Sequence, residues 1–382
     1  MPLPRSLLLA GAATLTLAAC AAQAPENKPA TGAVAMNQIQ VIGTHNSYHA
    51  GIAASESVLW QKTRPELYAA LDYRHQALTS QLSAGVRQVE LDIFADSKGG
   101  LYAHPAGPGL AARAGLPADP PFDPNHLMDK PGFKVMHVQD VDYRSTCQPF
   151  TACLAEIRAW SQAHPGHVPL FILLETKEET LSLSFPTVTP EALTPASLDA
   201  LDREILSVFK ADEIITPDRV RGDAATLNAA IRTRGWPSLE EARGKVVFLL
   251  DQRAISARYL EGHPSLKGRV AFTNAKVDPN GVASDDAAFI EMNDGPGDAI
   301  TALVRQGYLV RTRSDADTKE ARANDTRRRD MALGSGAQMV STDYPASEPA
   351  ATGFVVSLPG GGAARCNPVT AGANCVSQGL DR

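Results

Sequence analysis

The chain has no apolar run long enough to cross a bilayer, no block of lysine and arginine, no G-x-S-x-G motif, no C-x2-C pair and no internal repeat. Each absence excludes something. The N-terminal run LLLAGAATLTLAA is too short for a stable spanning helix. A formal charge of -6 without a basic face argues against a nucleic-acid partner, and the short cluster Arg327-Arg328-Arg329 lies in a helix-like stretch where solvation is the simpler role. Without a nucleophile elbow, Ser/His/Asp hydrolysis has no support. The cysteines number five, and without C-x2-C spacing or a grouped histidine a zinc site is the weaker account of them.

What is present begins with export. Arg5 gives a positive start, an apolar stretch follows, and Leu17-Ala18-Ala19-Cys20 looks like a bacterial lipobox, with an ordinary secretory cleavage site as the alternative. Residues 1–19 are thus expected to be a lipoprotein signal peptide. Cys20 would be the lipidated residue, 20–36 a flexible Ala/Pro-rich tether, and 37–382 one catalytic domain. The expected location is the cell envelope, on its periplasmic or extracellular side, with the lipid as membrane anchor. The remaining cysteines agree with an oxidising compartment. Short separations favour Cys147 with Cys153 and Cys366 with Cys375 among the possible pairings.

Apolar runs then recur along the chain. QVIGTH (40–45), QVELDI (88–93), FKVMH (133–137), PLFILLE (169–175), KVVFLLD (245–251), RVAFTNA (269–275), YLVRTR (308–313) and QMVSTDY (338–344) read as strands buried on both faces, as in a parallel sheet. Helical patterns are expected at 74–85, 151–163, 197–209, 284–305 and 318–334, the last begun by Asp317 or Thr318. Eight such strands suffice to close a barrel. The predicted fold is therefore α/β, a (β/α)8 TIM-type barrel. A Gly/Pro-rich segment at 95–132, with a weak helical signal at 110–115, replaces a regular helix with a long rim loop.

The first four runs end in residues that can do phosphate or metal chemistry, and a barrel of this type keeps its active site at the C-terminal strand ends. His45 and Asn46 close the first run, Glu90 and Asp92 lie on the second, His137 ends the third and Glu175 the fourth. Glu90 and Asp92 are two apart, so on a strand they share a face. Two acids aimed into a barrel interior repel unless a cation joins them. Oxygen ligands from Glu, Asp and Asn favour calcium or magnesium over zinc, with Asn46 and Glu175 completing the shell. His45 and His137 are candidates to move protons, and Glu90 or Glu175 could itself be the base. Weaker candidates for substrate binding are Arg311 and Arg313, which share a face, Lys177, two beyond Glu175, and Tyr344 as a ring to pack against the substrate. His49 and His104 read as loop residues, His49 with a possible place in the site.

The order THNSYH, VELDIFAD, a strand ending in His and a strand ending in Glu resembles the phosphatidylinositol-specific phospholipases C. VMHVQDVDYRSTC, YLVRTRSDADT, GAQMVSTDYP and LPGGGAARCNP resemble the secreted bacterial calcium-dependent branch, and the resemblance spans nearly all of residues 38–376. It implies that His45 and His137 are catalytic and that Asn46, Glu90, Asp92 and Glu175 hold Ca2+. The implied reaction on a phosphoinositide or related phosphodiester lipid is attack by the inositol 2-hydroxyl on phosphorus, releasing diacylglycerol and leaving a cyclic inositol phosphate. One alternative is a glycerophosphodiester phosphodiesterase, although that family usually places Arg after its first His, where this chain has Asn46. Another is a noncatalytic envelope lipoprotein that binds inositol head groups.

Overall fold

Eight short apolar strands of this chain pair side by side because their side chains are buried on both faces, leaving only neighbouring backbones to satisfy their own polar groups. The computed structural model describes residue 1, residues 33–278 and residues 281–382. Cys20, the lipobox and most of the tether lie outside the described residues. The strands are β1 (Ile39–Thr44), β2 (Gln88–Phe94), β3 (Lys134–Val135), β4 (Leu170–Lys177), β5 (Val246–Leu250), β6 (Ala271–Phe272), β7 (Phe289–Glu291), β8 (Leu309–Arg313), β9 (Met339–Thr342) and β10 (Ala364–Cys366). Their order around the ring is β6-β5-β4-β2-β1-β9-β8-β7, every neighbour parallel. A bridge between Asn274 and Phe289 joins the two ends, so the eight parallel strands form a nearly closed TIM-like barrel.

The strand assignments differ from expectation at two places. FKVMH is not a barrel strand: only Lys134 and Val135 pair, and they run antiparallel to the end of β2. The reason is that β2 and β4 are already in direct register over seven residue pairs, Gln88 with Phe171 through Phe94 with Lys177, which leaves no gap for a strand between them. The outer edge of β3 is served by a side chain, Gln148, whose Oε1 accepts from Val135 N at 3.0 Å and whose amide donates back to Val135 O. The true eighth strand, β7, lies inside the stretch 284–305 expected to be helical. Its flank is Ala-rich and it is only three residues long, so the pairing with β8 overrides local propensity. The helix itself begins only after Pro296, as Gly297–Arg305.

Helices cover the barrel where expected at Phe150–Ala163 and Pro195–Val208. In the first, Phe150, Cys153, Leu154, Ile157 and Trp160 are buried at three- and four-residue spacing, a single face packed on the sheet. Each such side chain contributes roughly 1.5–3 kcal/mol by burial; Ile157→Asp would break this face. The expected helix 74–85 shortens to Leu78–Ser83. The stretch 318–334 splits into Lys319–Ala323 and Arg327–Gly334 at Asn324, which turns left-handed at φ +49°. Asp317 and Thr318 are also left-handed, and Thr318 donates to Ala69 O instead of capping. The rim segment contains one helix, Ala106–Arg113. Among the described residues no helix is long and apolar enough to cross a membrane. Both expected disulfides are formed, Cys147–Cys153 beside the rim and Cys366–Cys375 next to β10, which pairs with the start of β1 at the opposite end of the barrel.

Candidate active site

The ends of β1, β2 and β4 fix the acidic side of the rim. β1 can lie close to β2 only because residue 43 is glycine: a Cβ there would fall 1.8 Å from Gln88 Oε1. Just beyond β1, His45 N donates to Thr342 O at 3.0 Å and Asn46 takes a left-handed turn at φ +46°, a conformation that asparagine tolerates better than most residues. The turn buries the Asn46 side chain. Its Nδ2 donates to Tyr73 Oη at 2.8 Å, while its Oδ1 has no partner. On β2, Glu90 and Asp92 point inward, and the β2–β4 register sets Asp92 beside Glu175. Ligand atoms of Glu90, Asp92 and Glu175 all lie within 4.8 Å of one another.

Like charges this close and this buried cannot all remain ionised without a cation. Burial, with Glu175 adding to it, pushes Asp92 well above the usual carboxylate range, and burial lifts Glu90 to about 7 against the pull of Arg311. Glu175 behaves differently: burial raises it, but Lys177 outweighs that and holds it below its ordinary value. The Lys177 ammonium sits 2.6 Å from Glu175 Oε1 and 3.0 Å from Asp92 Oδ2. Asp92 Oδ1 has no partner, and its Oδ2 has this ion pair without a well-directed hydrogen bond. Oxygen-only donors with two orphaned buried atoms, Asn46 Oδ1 and Asp92 Oδ1, fit a hard divalent cation such as calcium.

The two histidines are each held through Nδ1 by a buried carboxylate. His45 Nδ1 lies 2.7 Å from Asp343 Oδ1, which assigns the proton to that nitrogen and leaves Nε2 as an acceptor. Arg313 donates to that Nε2 at 3.2 Å. Burial, reinforced by Arg313 and Arg311, holds His45 well below the ordinary imidazole value. His137 Nδ1 lies 2.8 Å from Asp142 Oδ2, and the same carboxylate receives His49 Nε2 at 2.8 Å from Oδ1. Burial would raise Asp142, yet His49 and His137 prevail and keep it well below the carboxylate range. His49 is in turn raised by Asp142 despite its own burial.

A cavity of about 290 Å³ opens between these groups, lined by His45, His137, Glu90, Glu175, Lys177, Arg311 and Arg313, with Asp251 and Asn293 on the far wall. Arg311 is fully buried and bound to Glu90, Glu291 at 2.8 Å, Asn293 at 2.6 Å and Ser341 at 3.1 Å, whereas Arg313 stands at the mouth. Tyr344 is not part of the lining. It packs against Phe354, ring centroids 6.0 Å apart, on the other side of its strand end. Asp343, Asp142, Tyr73 and Asp251 carry no role in the sequence reading. For Asp343 the signal was available: Ser341 reaches inward to Arg311, so the residue two further on shares that face and Tyr344 does not. Asp142 sits in an irregular loop, where no periodicity points to it.

Fold alone would not define the chemistry. A nearly closed parallel barrel whose rim sets carboxylate-held histidines against an acidic cluster is the arrangement of a metal-assisted barrel phosphodiesterase. Comparison with known proteins narrows this to one family. Residues 34–368 match the family of Ca2+-dependent phosphoinositide phospholipases C, and the chain belongs to it. Its fold is similar to that of the calcium-dependent phosphoinositol-specific phospholipase C from a Gram-negative Pseudomonas species. That enzyme, in an apo form with myo-inositol, is 18% identical with TM-score 0.52 over 89% of this chain and 98% of its own. The same enzyme in its apo crystal form 1 gives the same identity and score over 90% and 98%. A Ca2+-dependent phosphatidylinositol-specific phospholipase C from Streptomyces antibioticus is also 18% identical, with TM-score 0.48 over 81% of this chain and 95% of that one. No curated protein sequence matches the chain. The protein is thus a calcium-dependent phosphoinositide phospholipase C, with Ca2+ as its cofactor.

Proposed function

We propose that the enzyme cleaves phosphatidylinositol-type lipids in the 290 Å³ cavity by attack of the inositol 2-hydroxyl on phosphorus, giving diacylglycerol and a cyclic inositol phosphate. The observation that carries this is the pair of cavity-lining histidines, each with Nδ1 held by a buried carboxylate; Arg313, which donates to His45 Nε2, turns to the phosphate when that nitrogen accepts a proton. His45, kept unprotonated by burial and two arginines, takes the hydroxyl proton. His137, held by Asp142, delivers a proton to the departing glycerol oxygen. Asn46, Glu90, Asp92 and Glu175 hold calcium, which when bound supplies positive charge to the phosphoryl group and acidifies the attacking hydroxyl. Arg313 donates to phosphate oxygens, and Arg311 braces Glu90 from below. Asp251 and Asn293 offer polar groups to the remaining ring hydroxyls.

Intramolecular attack has an effective-concentration advantage over water, because the hydroxyl is already close to phosphorus. A 2-deoxy-inositol lipid therefore tests the reading. Phosphorus NMR should show the five-membered cyclic diester first with the natural lipid and nothing with the analogue. Normal turnover of the analogue, or acyclic phosphate appearing first, would establish water attack instead. The two disulfides suit an extracytoplasmic, oxidising compartment. Within it, lipidation at Cys20 after removal of residues 1–19 would tether the catalytic domain, from about residue 37, to the envelope membrane. Mass spectrometry of the mature N-terminus, with Cys20→Ala as control, tests that anchor.

A further inference from the structure

The carboxylates assigned to calcium already hold a cation that belongs to the chain. Lys177 lies two residues beyond Glu175 on the inward face of β4, and its ammonium touches Glu175 Oε1 at 2.6 Å and Asp92 Oδ2 at 3.0 Å. Calcium binds carboxylate oxygens at about 2.3–2.6 Å. An ion on these same two oxygens and the ammonium nitrogen would overlap, and their charges would repel at a distance where a low-dielectric interior screens poorly. We infer that the Lys177 ammonium is a tethered substitute for the metal: it seats between Asp92 and Glu175 in the calcium-free protein, leaves when calcium enters, and so sets the calcium concentration at which the site loads.

The placement explains how a buried acidic cluster persists before the ion arrives. Glu90 is braced by Arg311, whereas Asp92 and Glu175 have Lys177. The lysine stem also gives the ammonium somewhere to go, since Lys177 lines the cavity and its side chain is 17% exposed. A lysine suits this task better than an arginine, because a compact ammonium on a flexible stem can withdraw without breaking a planar bidentate lock. The cost of expelling it is subtracted from the free energy of calcium binding, so the site is tuned to load only where calcium is plentiful.

This inference rests on the ligand assignment proposed above, and the test separates the two. Calorimetric titration with Ca2+ compares the wild type, Lys177→Met and Asp92→Asn, with melting temperatures taken without calcium. Lys177→Met should bind calcium about tenfold or more tightly, and its calcium-free form should melt lower than wild type because Asp92 and Glu175 have lost their counter-ion. In the wild type, amine labelling of Lys177 read by mass spectrometry should rise when calcium is added, a measurement that needs no variant to fold. Unchanged calcium affinity in Lys177→Met, or labelling that calcium leaves unaltered, overturns the inference while leaving the ligand set intact. Undiminished calcium binding by Asp92→Asn removes the ligand set and the inference together.

Discussion

His45 and His137 face the same cavity from supports of opposite kinds. His45 follows a six-residue barrel strand paired on both sides, and its carboxylate, Asp343, directly follows the neighbouring strand β9. His137 follows a two-residue antiparallel pair outside the ring. Its carboxylate, Asp142, lies in the same loop, shared with His49 and followed closely by the Cys147–Cys153 bridge. One histidine is placed by the sheet, the other by a local hydrogen-bonded knot. The barrel thus fixes one imidazole through strand pairing and the other through contacts made within a single loop.

Removal of each imidazole gives the largest expected effects. His45→Ala should lower turnover by about 10²-fold to 10⁴-fold on any phosphoinositide substrate. His137→Ala should do so with natural lipid but far less with a substrate whose leaving group is acidic and scarcely needs protonation. Equal losses on both substrates would take the general-acid role from His137.

Next comes the loop carboxylate. Asp142→Asn should cost about 3–5 kcal/mol of folding stability, because it strips a partner from buried His49 as well as from His137. The difference from wild type should depend on pH in a defined way. Asp142 is held below its unfolded value, so its contribution is present above about pH 3.9 and fades as pH falls toward the folded value. His49 is raised, so its contribution is complete below about pH 6.5 and is lost as pH rises through its higher folded value. Denaturant unfolding should thus show the largest difference between roughly pH 4 and 6.5. A pH-independent difference would show that the shared pair is not the cause.

Metal removal tests the acidic side, which both histidines serve. Chelation should abolish turnover. Calcium at about a hundred times its dissociation constant should stabilise the wild type by roughly 2.7 kcal/mol, an increment that Asp92→Asn largely loses. Full activity after exhaustive chelation would refute the dependence.

The smallest effect separates the two disulfides. Replacing Cys147 and Cys153 by serine should cost near the low end of about 2–4 kcal/mol, and it should also lower kcat through His137. The same change at Cys366 and Cys375 should cost similar stability and leave kcat untouched, since that bridge lies at the far end of the barrel. Equal kcat for both double variants would remove the loop bridge from any part in placing His137.

The contrast between the supports also marks what the sequence could reveal. β1, β2, β4, β5, β8 and β9 each span four residues or more and fall within the runs read as strands, and β2 and β4 bring Glu90, Asp92 and Glu175 together. Those elements announce themselves because burial on both faces demands such runs. β7 is too short to show a period, and its alanine-rich flank favours a helix locally, so only the pairing with β8 makes it a strand. FKVMH has the composition of a core strand, yet its place was already taken by β4. The count of eight was right while one member was not. Asp343 could have been found by alternation from Ser341, but Asp142 could not, because loop geometry leaves no periodic trace.

The left-handed backbone at Asn46 narrows which amino acids evolution or a mutational scan can place there. Glycine would fit the turn but offers no amide to Tyr73, and a β-branched residue would be strained in that conformation. Aspartate tolerates the turn, but it gives up the amide that donates to Tyr73. Asparagine satisfies the bend and the tyrosine at once. In a saturation library assayed for turnover, position 46 should tolerate fewer replacements than either of the arginines, although it is neither charged nor a proton carrier.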